Sequence, residues 1–201
     1  MIAIIDYGMG NLRSVQKGFE YVGYQAEITN EPTKILNASQ VVLPGVGAFS
    51  DAMDSLHATG MVEIIKQIVK MNKPFLGICL GMQLLLDRSF EGGTIEGLAL
   101  IKGDVKRIPQ VPGLKVPHMG WNELKYKENP LFKGLRPDPT VYFVHSYYVD
   151  SAEKDCVIGT TDYGSEIQVA VNKGSVYGLQ FHPEKSGDTG LQILRNFGGL
   201  L

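Results

Sequence analysis

The first 86 residues alternate strand-like runs with stretches of helical period, and this alternation restricts the fold more than any other feature of the chain. IAIID (2–6), YQAEIT (24–29), VVLP (41–44) and FLGI (75–78) are short and rich in β-formers. Between the first two, Asn11 stands where a helix cap belongs. Leu12, Val15, Phe19 and Val22 follow on roughly one helical face, and Gly23 closes the segment. A helical stretch through His57 follows the third run, and Met61, Ile64, Ile65, Ile68 and Val69 give another before the fourth. Strands joined through helices call for a mostly parallel central sheet with helices on both faces, hence an α/β fold. After Leu86 the pattern changes. Segments 100–108, 115–124, 140–149, 156–163, 167–172 and 175–181 are strand-like and separated by Gly, Pro, Asn and Asp, which predicts added, partly antiparallel strands. A terminal helix is predicted over 188–197, and no linker divides the chain, so residues 1–201 read as one domain.

The net charge of −2 leaves no basic surface for nucleic acid. No apolar run reaches the roughly 18 residues that a membrane span needs. The first residues lack the basic and apolar regions of an export signal, so a cytoplasmic setting with reduced thiols is expected. Each of the two cysteines then has to be explained by its own surroundings. Cys156, in Lys154-Asp155-Cys156-Val157-Ile158, reads as core.

Cys79 reads differently. The run Phe75-Leu76-Gly77-Ile78 enters Gly-x-Cys-x-Gly, and a helical stretch, Met82 to Leu86, follows. This is the layout of a nucleophile elbow with sulfur in place of the serine oxygen. The glycines relieve crowding at a sharp turn. The following helix offers free N–H groups and a positive dipole end to a sulfur anion. The Leu80 N–H is placed to hold an oxyanion. The competing reading is a buried structural cysteine between packing glycines.

A thiol nucleophile needs a base, and the base needs an orienting group. Residues 175–181 form a strand that delivers His182 to its end, and Pro183 keeps the chain extended there. Residues two apart in an extended chain share a side, so Glu184 can accept from the His182 ring. Taken alone, His-Pro-Glu is a weak signal and reads first as a strand-end turn with a solvated pair; the cysteine elbow gives it weight. The order Cys…His…Glu differs from that of α/β-hydrolases, where the acid precedes the histidine. Helical His57 reads as solvated. A second oxyanion donor is expected from a loop after another strand, and Gly45-Val46-Gly47, following Val41-Val42-Leu43-Pro44, fits. Gly8-Met9-Gly10 lacks the third glycine of a dinucleotide fingerprint. No His/Cys/Asp cluster has metal-ligand spacing.

Gly77-Ile78-Cys79-Leu80-Gly81-Met82-Gln83, His182-Pro183-Glu184 and Pro44-Gly45-Val46-Gly47 resemble the signatures and oxyanion strand of the class I, triad-type glutamine amidotransferases. Asp6-Tyr7-Gly8-Met9-Gly10-Asn11-Leu12, Pro117-His118-Met119-Gly120-Trp121-Asn122 and His182-Pro183-Glu184-Lys185-Ser186 resemble the branch of that family that serves histidine biosynthesis. The resemblance spans nearly the whole chain. It implies a flavodoxin-like three-layer fold and a Cys79-His182-Glu184 triad that hydrolyses L-glutamine to glutamate and ammonia without cofactor or metal. It further implies glutamine contacts from Gln83, His145, Ser146 and Tyr147 with Gly47 beside them. Asn11, Met119, Trp121 and Lys185 would face a partner, the cyclase subunit of imidazole glycerol phosphate synthase, in a heterodimer. A glutaminase component of another pathway, a stand-alone cysteine hydrolase and a non-enzymatic interaction domain stay open as rival readings.

Overall fold

The structure, a computed structural model, describes residues 1–200. Its first half runs β1 (Ile2–Ile5), α1 (Leu12–Tyr21), β2 (Ala26–Thr29), α2 (Pro32–Asn37), β3 (Gln40–Gly45), α3 (Phe49–Ala58), α4 (Met61–Lys70), β4 (Phe75–Cys79) and α5 (Leu80–Gln83). The second half is strand-rich: β5 (Arg88–Ser89), β6 (Ile95–Glu96), β7 (Gly103–Arg107), β8 (His118–Glu123), β9 (Lys125–Tyr126), β10 (Thr140–His145), β11 (Tyr147–Ser151), β12 (Val157–Asp162), β13 (Glu166–Lys173) and β14 (Val176–Leu179), closed by α6 (Gly187–Gly198).

Most strands join one large sheet in the order β2-β1-β3-β4-β14-β13-β11-β7-β5-β6, with β12 on the free flank of β13 and β9 beyond it. From β2 to β14 every pairing is parallel, because helices cross between successive strands. From β14 through β7 the pairings turn antiparallel. β8 and β10 form a separate antiparallel ribbon.

The two faces of the parallel region follow strand parity. Ala3, Ile5, Val41 and Leu43 pack with α3 and α4, whereas Ile2, Ile4, Val42, Leu76 and Ile78 pack with α1 and α6. On α1, Val15 and Phe19 are buried one turn apart while Leu12 and Val22 flank them. Burial of each such side chain contributes about 1.5–3 kcal/mol. On α4, Met61, Val62, Ile65 and Ile68 point inward, and Ile64 and Val69 sit at the margin.

Several local expectations are corrected. Asn11 holds the cap position of α1, but its side chain makes no capping hydrogen bond. The helix predicted over 82–86 is a single turn that begins earlier, at Leu80. Residues 140–149 are not one strand: Ser146 divides β10, paired with β8, from β11, paired with β7 and β13. The buried positions Val141, Phe143 and Val149 keep the same parity across that break, so the alternation carries no trace of the change of partner. Strands β5 and β6 span two residues each and α2 buries a single side chain, Ile35, which leaves no period to read.

Candidate active site

Cys79 ends β4 with φ 57° and ψ −111°, a conformation that a residue with a Cβ adopts only when its surroundings enforce it. The enforcement comes from close backbone packing. A Cβ on Gly77 would lie 2.5 Å from the Gly81 carbonyl oxygen, and one on Gly81 would collide with the Leu43 carbonyl. Strand parity would put Cys79 on the side of Phe75. The turn instead packs it with Leu76 and Ile78, on the α1 and α6 side. The macrodipole expected behind Cys79 shrinks with α5 to one turn, so the free N–H groups at its start are what remains of that effect.

β14 lies parallel to β4, with Leu179 opposite Ile78, and its continuation carries His182 to the same end of the sheet as Cys79. The His182 N–H donates to the Tyr142 carbonyl, and the Ser186 hydroxyl donates to the His182 carbonyl, which pins the turn at both ends. His182 Nδ1 lies 2.8 Å from Glu184 Oε1, with side-chain exposures of 3% and 0%. A carboxylate only accepts, so Nδ1 carries the proton and Nε2 is left to react. Burial disfavours the imidazolium, but the adjacent Cys79 sulfur and Glu184 carboxylate outweigh it and raise the His182 pKa to about 9. His182 Nε2 has no hydrogen-bond partner in the resting site. The sulfur is therefore close enough to act on the ring electrostatically without being seated on it as an acceptor, as is common before substrate arrives.

Cys79, Leu80, His182, Val46, Gly47, Gln83, His145, Ser146 and Tyr147 line one cavity of about 400 Å³, together with Glu91, Pro117 and Val144. The register of β3 on β4 places Gly45 beside Cys79, outside the cavity lining. Gly47 has φ 97°, a left-handed conformation suited to glycine. Among the described residues, the N–H groups of Val46 and Gly47 donate to no protein acceptor. Gln83 donates through Nε2 to the Tyr147 carbonyl at 3.0 Å and to Gln180 Oε1 at 3.0 Å, which leaves its own oxygen for the cavity.

His145 is tied into a directed chain. Its Nδ1 meets the Tyr147 carbonyl at 2.9 Å and must donate, so its Nε2 accepts from His118 Nδ1 at 3.0 Å. Asn122 then donates to His118 Nε2 at 3.3 Å. Burial lowers both histidines to a pKa of about 4. The folded-state values lie below the ordinary histidine value of about 6.5. The stability from keeping both rings neutral is therefore present above pH 6.5 and is lost as the pH falls toward 4. Thermal unfolding from pH 7 to 4 should show a falling midpoint, and His118→Asn should flatten that fall by about 1.4 kcal/mol per pH unit. Equal pH slopes in the two proteins would remove His118 from this role.

Sequence reading missed Glu91 and Gln180. Glu91 Oε2 accepts from the Phe49 N–H at 2.8 Å while the side chain lines the cavity. In sequence it is only a charge before a glycine pair. Gln180 is fully buried and donates to Cys79 Sγ at 3.7 Å. Its strand-end position next to Phe181-His182 was the available signal. Of the residues expected at a partner face, Met119 and Trp121 are 63% and 57% exposed on β8. Lys185 is exposed beside the His182 turn, and Asn11 is half-buried at the start of α1. Trp121 stacks edge-on against Tyr142 and its ring reaches Gly187. Helical His57 is exposed, and Cys79 and Cys156 are both free thiols. Among the described residues there is no group of three or more His, Cys, Asp or Glu side chains able to hold a metal, and no helix long and apolar enough to cross a membrane.

The family model for glutamine amidotransferase class-I matches residues 3–199. Imidazole glycerol phosphate synthase subunit HisH of Caldanaerobacter subterraneus subsp. tengcongensis is 55% identical over 202 residues, covering 100% of this chain and 98% of the relative. The HisH subunit of Syntrophotalea carbinolica is 53% identical, with 100% of each chain covered. Among solved structures, one described as glutamine amidotransferase superposes with a TM-score of 0.77 at 17% identity, covering 100% of each chain. PurLQS from Thermotoga maritima does so with a TM-score of 0.76 at 18% identity, covering 98% of this chain and 96% of that one.

Proposed function

The chain belongs to the glutamine amidotransferase class-I family, and we propose on that ground that it is the glutamine-hydrolysing subunit of an imidazole glycerol phosphate synthase. The observation that carries the chemistry is the strained Cys79 elbow facing a buried His182–Glu184 pair across a cavity lined by unpaired N–H groups.

The steps follow from these groups. L-Glutamine enters with its side-chain carbonyl over Cys79, its ammonium toward the Glu91 carboxylate and the Gln83 oxygen. His145, Ser146 and Tyr147 form the facing wall. The Cys79 thiolate attacks the amide carbon and forms a C–S bond. The oxyanion is held by the N–H of Leu80 and by N–H groups of the Gly45-Val46-Gly47 loop, each such donor lowering the barrier by about 3 kcal/mol. His182, as imidazolium, passes its Nε2 proton to the leaving nitrogen. The C–N bond breaks and ammonia departs. Neutral His182 then takes a proton from water, which attacks the thioester and releases glutamate with the thiolate restored.

Ammonia released into neutral water would mostly protonate and lose its nucleophilicity, so the reaction is useful only beside an acceptor. Subunit HisH of the relatives belongs by name to a synthase. By family resemblance its counterpart is the cyclase subunit, which uses the ammonia to form imidazole glycerol phosphate. The exposed Met119 and Trp121 on β8, with Lys185 nearby in the catalytic turn, support a docking face at this end of the sheet.

The test is to add the purified cyclase subunit and its nucleotide ligand and to follow glutamate release. Stimulation of about 5- to 150-fold is expected, the usual size of coupling between sites. Unstimulated but rapid turnover by the free chain would favour a stand-alone hydrolase. Stimulation by a different synthase instead would move the chain to another pathway.

A further inference from the structure

We propose that Gln180 is a positioning residue for the nucleophile: its side-chain amide holds the Cys79 sulfur in attack orientation, and is itself held by Gln83. The orientation of every amide in this set follows from one backbone group. The Tyr147 carbonyl can only accept, so the Gln83 group 3.0 Å from it must be the nitrogen. The second hydrogen on that nitrogen is directed at Gln180, whose near atom must then be oxygen. That leaves Gln180 Nε2 facing Cys79 Sγ at 3.7 Å. No member of the set has an alternative flip that keeps its partners.

Gln180 is fully buried, and its backbone N–H donates to the Val169 carbonyl at 2.8 Å, so the side chain starts from a fixed point. It stands two residues before His182 in the bend that follows β14, so one strand end delivers both the group that holds the sulfur and the base that exchanges its proton. Among the described residues, Gln180 is the one side chain hydrogen-bonded to Sγ, while His182 Nε2 has no such partner. In the resting site the sulfur is therefore oriented by the amide. A near-attack geometry is worth large factors in rate, and a side chain with a single rotatable bond before its reacting atom loses it by rotation.

The inference rests on Cys79 being the group that attacks glutamine, and the test separates the two. Gln180→Met keeps the length and removes the donor. Gln180→Glu still accepts from Gln83 but turns an oxygen toward the sulfur. In the assembled complex, kcat for glutamine hydrolysis should fall about tenfold in Gln180→Met and further in Gln180→Glu. KM should stay within about threefold, because glutamine itself loses no contact. The pH profile of Cys79 alkylation by iodoacetamide, measured without glutamine, should move to higher pH in Gln180→Glu. Wild-type kcat and alkylation profiles in both variants would overturn the proposal. So would equal losses in both that track a lowered thermal midpoint, since these mark a packing role. If the alkylation profile shifts as expected while the wild-type complex hydrolyses no glutamine, the positioning role stands and the glutaminase reading falls.

Discussion

Replacing Cys79 with alanine abolishes glutamine-dependent synthesis by the assembled complex, by at least about a thousandfold, and leaves synthesis from added ammonium intact. The two outcomes separate because the sulfur is needed only to break the C–N bond of glutamine, whereas free ammonia enters after that step. Without the sulfur, the unpaired N–H groups near Val46 and Gly47 and the His182–Glu184 pair still bind and polarise, but no thioester forms. The fold should tolerate the change. Alanine meets the same constraint at φ 57° as cysteine does, and the lost atom is a small part of a well-packed wall, costing about 1 kcal/mol. The assay is glutamate release and product formation with glutamine or ammonium chloride as nitrogen source. Glutamine use within about tenfold of wild type would take the sulfur out of the mechanism. Loss of both activities would mean that the complex had failed to assemble.

Much of this site was legible because its chemistry demands local patterns. A strand must feed Cys79 into a turn with no room for side chains, so Gly77 and Gly81 appear on either side of it. His182 and Glu184 were expected to meet across an extended chain; they do meet, at 2.8 Å, but through a 3-10 turn over Pro183–Lys185 that returns the carboxylate to the ring. The β-α alternation of the first half likewise predicted the parallel region. What stayed hidden depends on contacts between distant segments. Gln180 gains its place from Gln83 and from the Tyr147 carbonyl, and nothing in Leu179-Gln180-Phe181 announces either. Glu91 reaches the cavity only because its carboxylate accepts from the Phe49 N–H, across a fold that brings the start of α3 to a loop beyond β5. The break at Ser146 was invisible because the burial parity runs through it.

Changing Glu184 to glutamine isolates the electrostatic part of the site from its shape, and kcat/KM for glutamine should fall about 10³- to 10⁴-fold. In the native site Oε1 accepts from His182 Nδ1 at 2.8 Å while Oε2 is buried without a partner. An amide has two ways to occupy this place, and both are worse. With its oxygen toward Nδ1 the tautomer survives, but the NH₂ group takes the partnerless position and remains unsatisfied. With its nitrogen toward Nδ1 the ring must accept there, the proton moves to Nε2, and the base is gone. Either way the carboxylate that helps hold His182 at a pKa of about 9 is lost, while burial continues to disfavour the cation. The imidazolium that protonates the leaving nitrogen is then scarcer at neutral pH, and the alkaline limit of kcat moves to lower pH. Stability carries the same sign. A folded-state pKa of about 9 against an ordinary value near 6.5 stabilises the native protein fully below pH 6.5, and that part disappears as the pH rises through 9. The gap in thermal midpoint between wild type and Glu184→Gln should therefore be widest in mild acid and should narrow toward pH 9. Activity within about tenfold of wild type, with an unmoved alkaline limb, would reduce Glu184 to a packing residue and leave His182 to set its own tautomer.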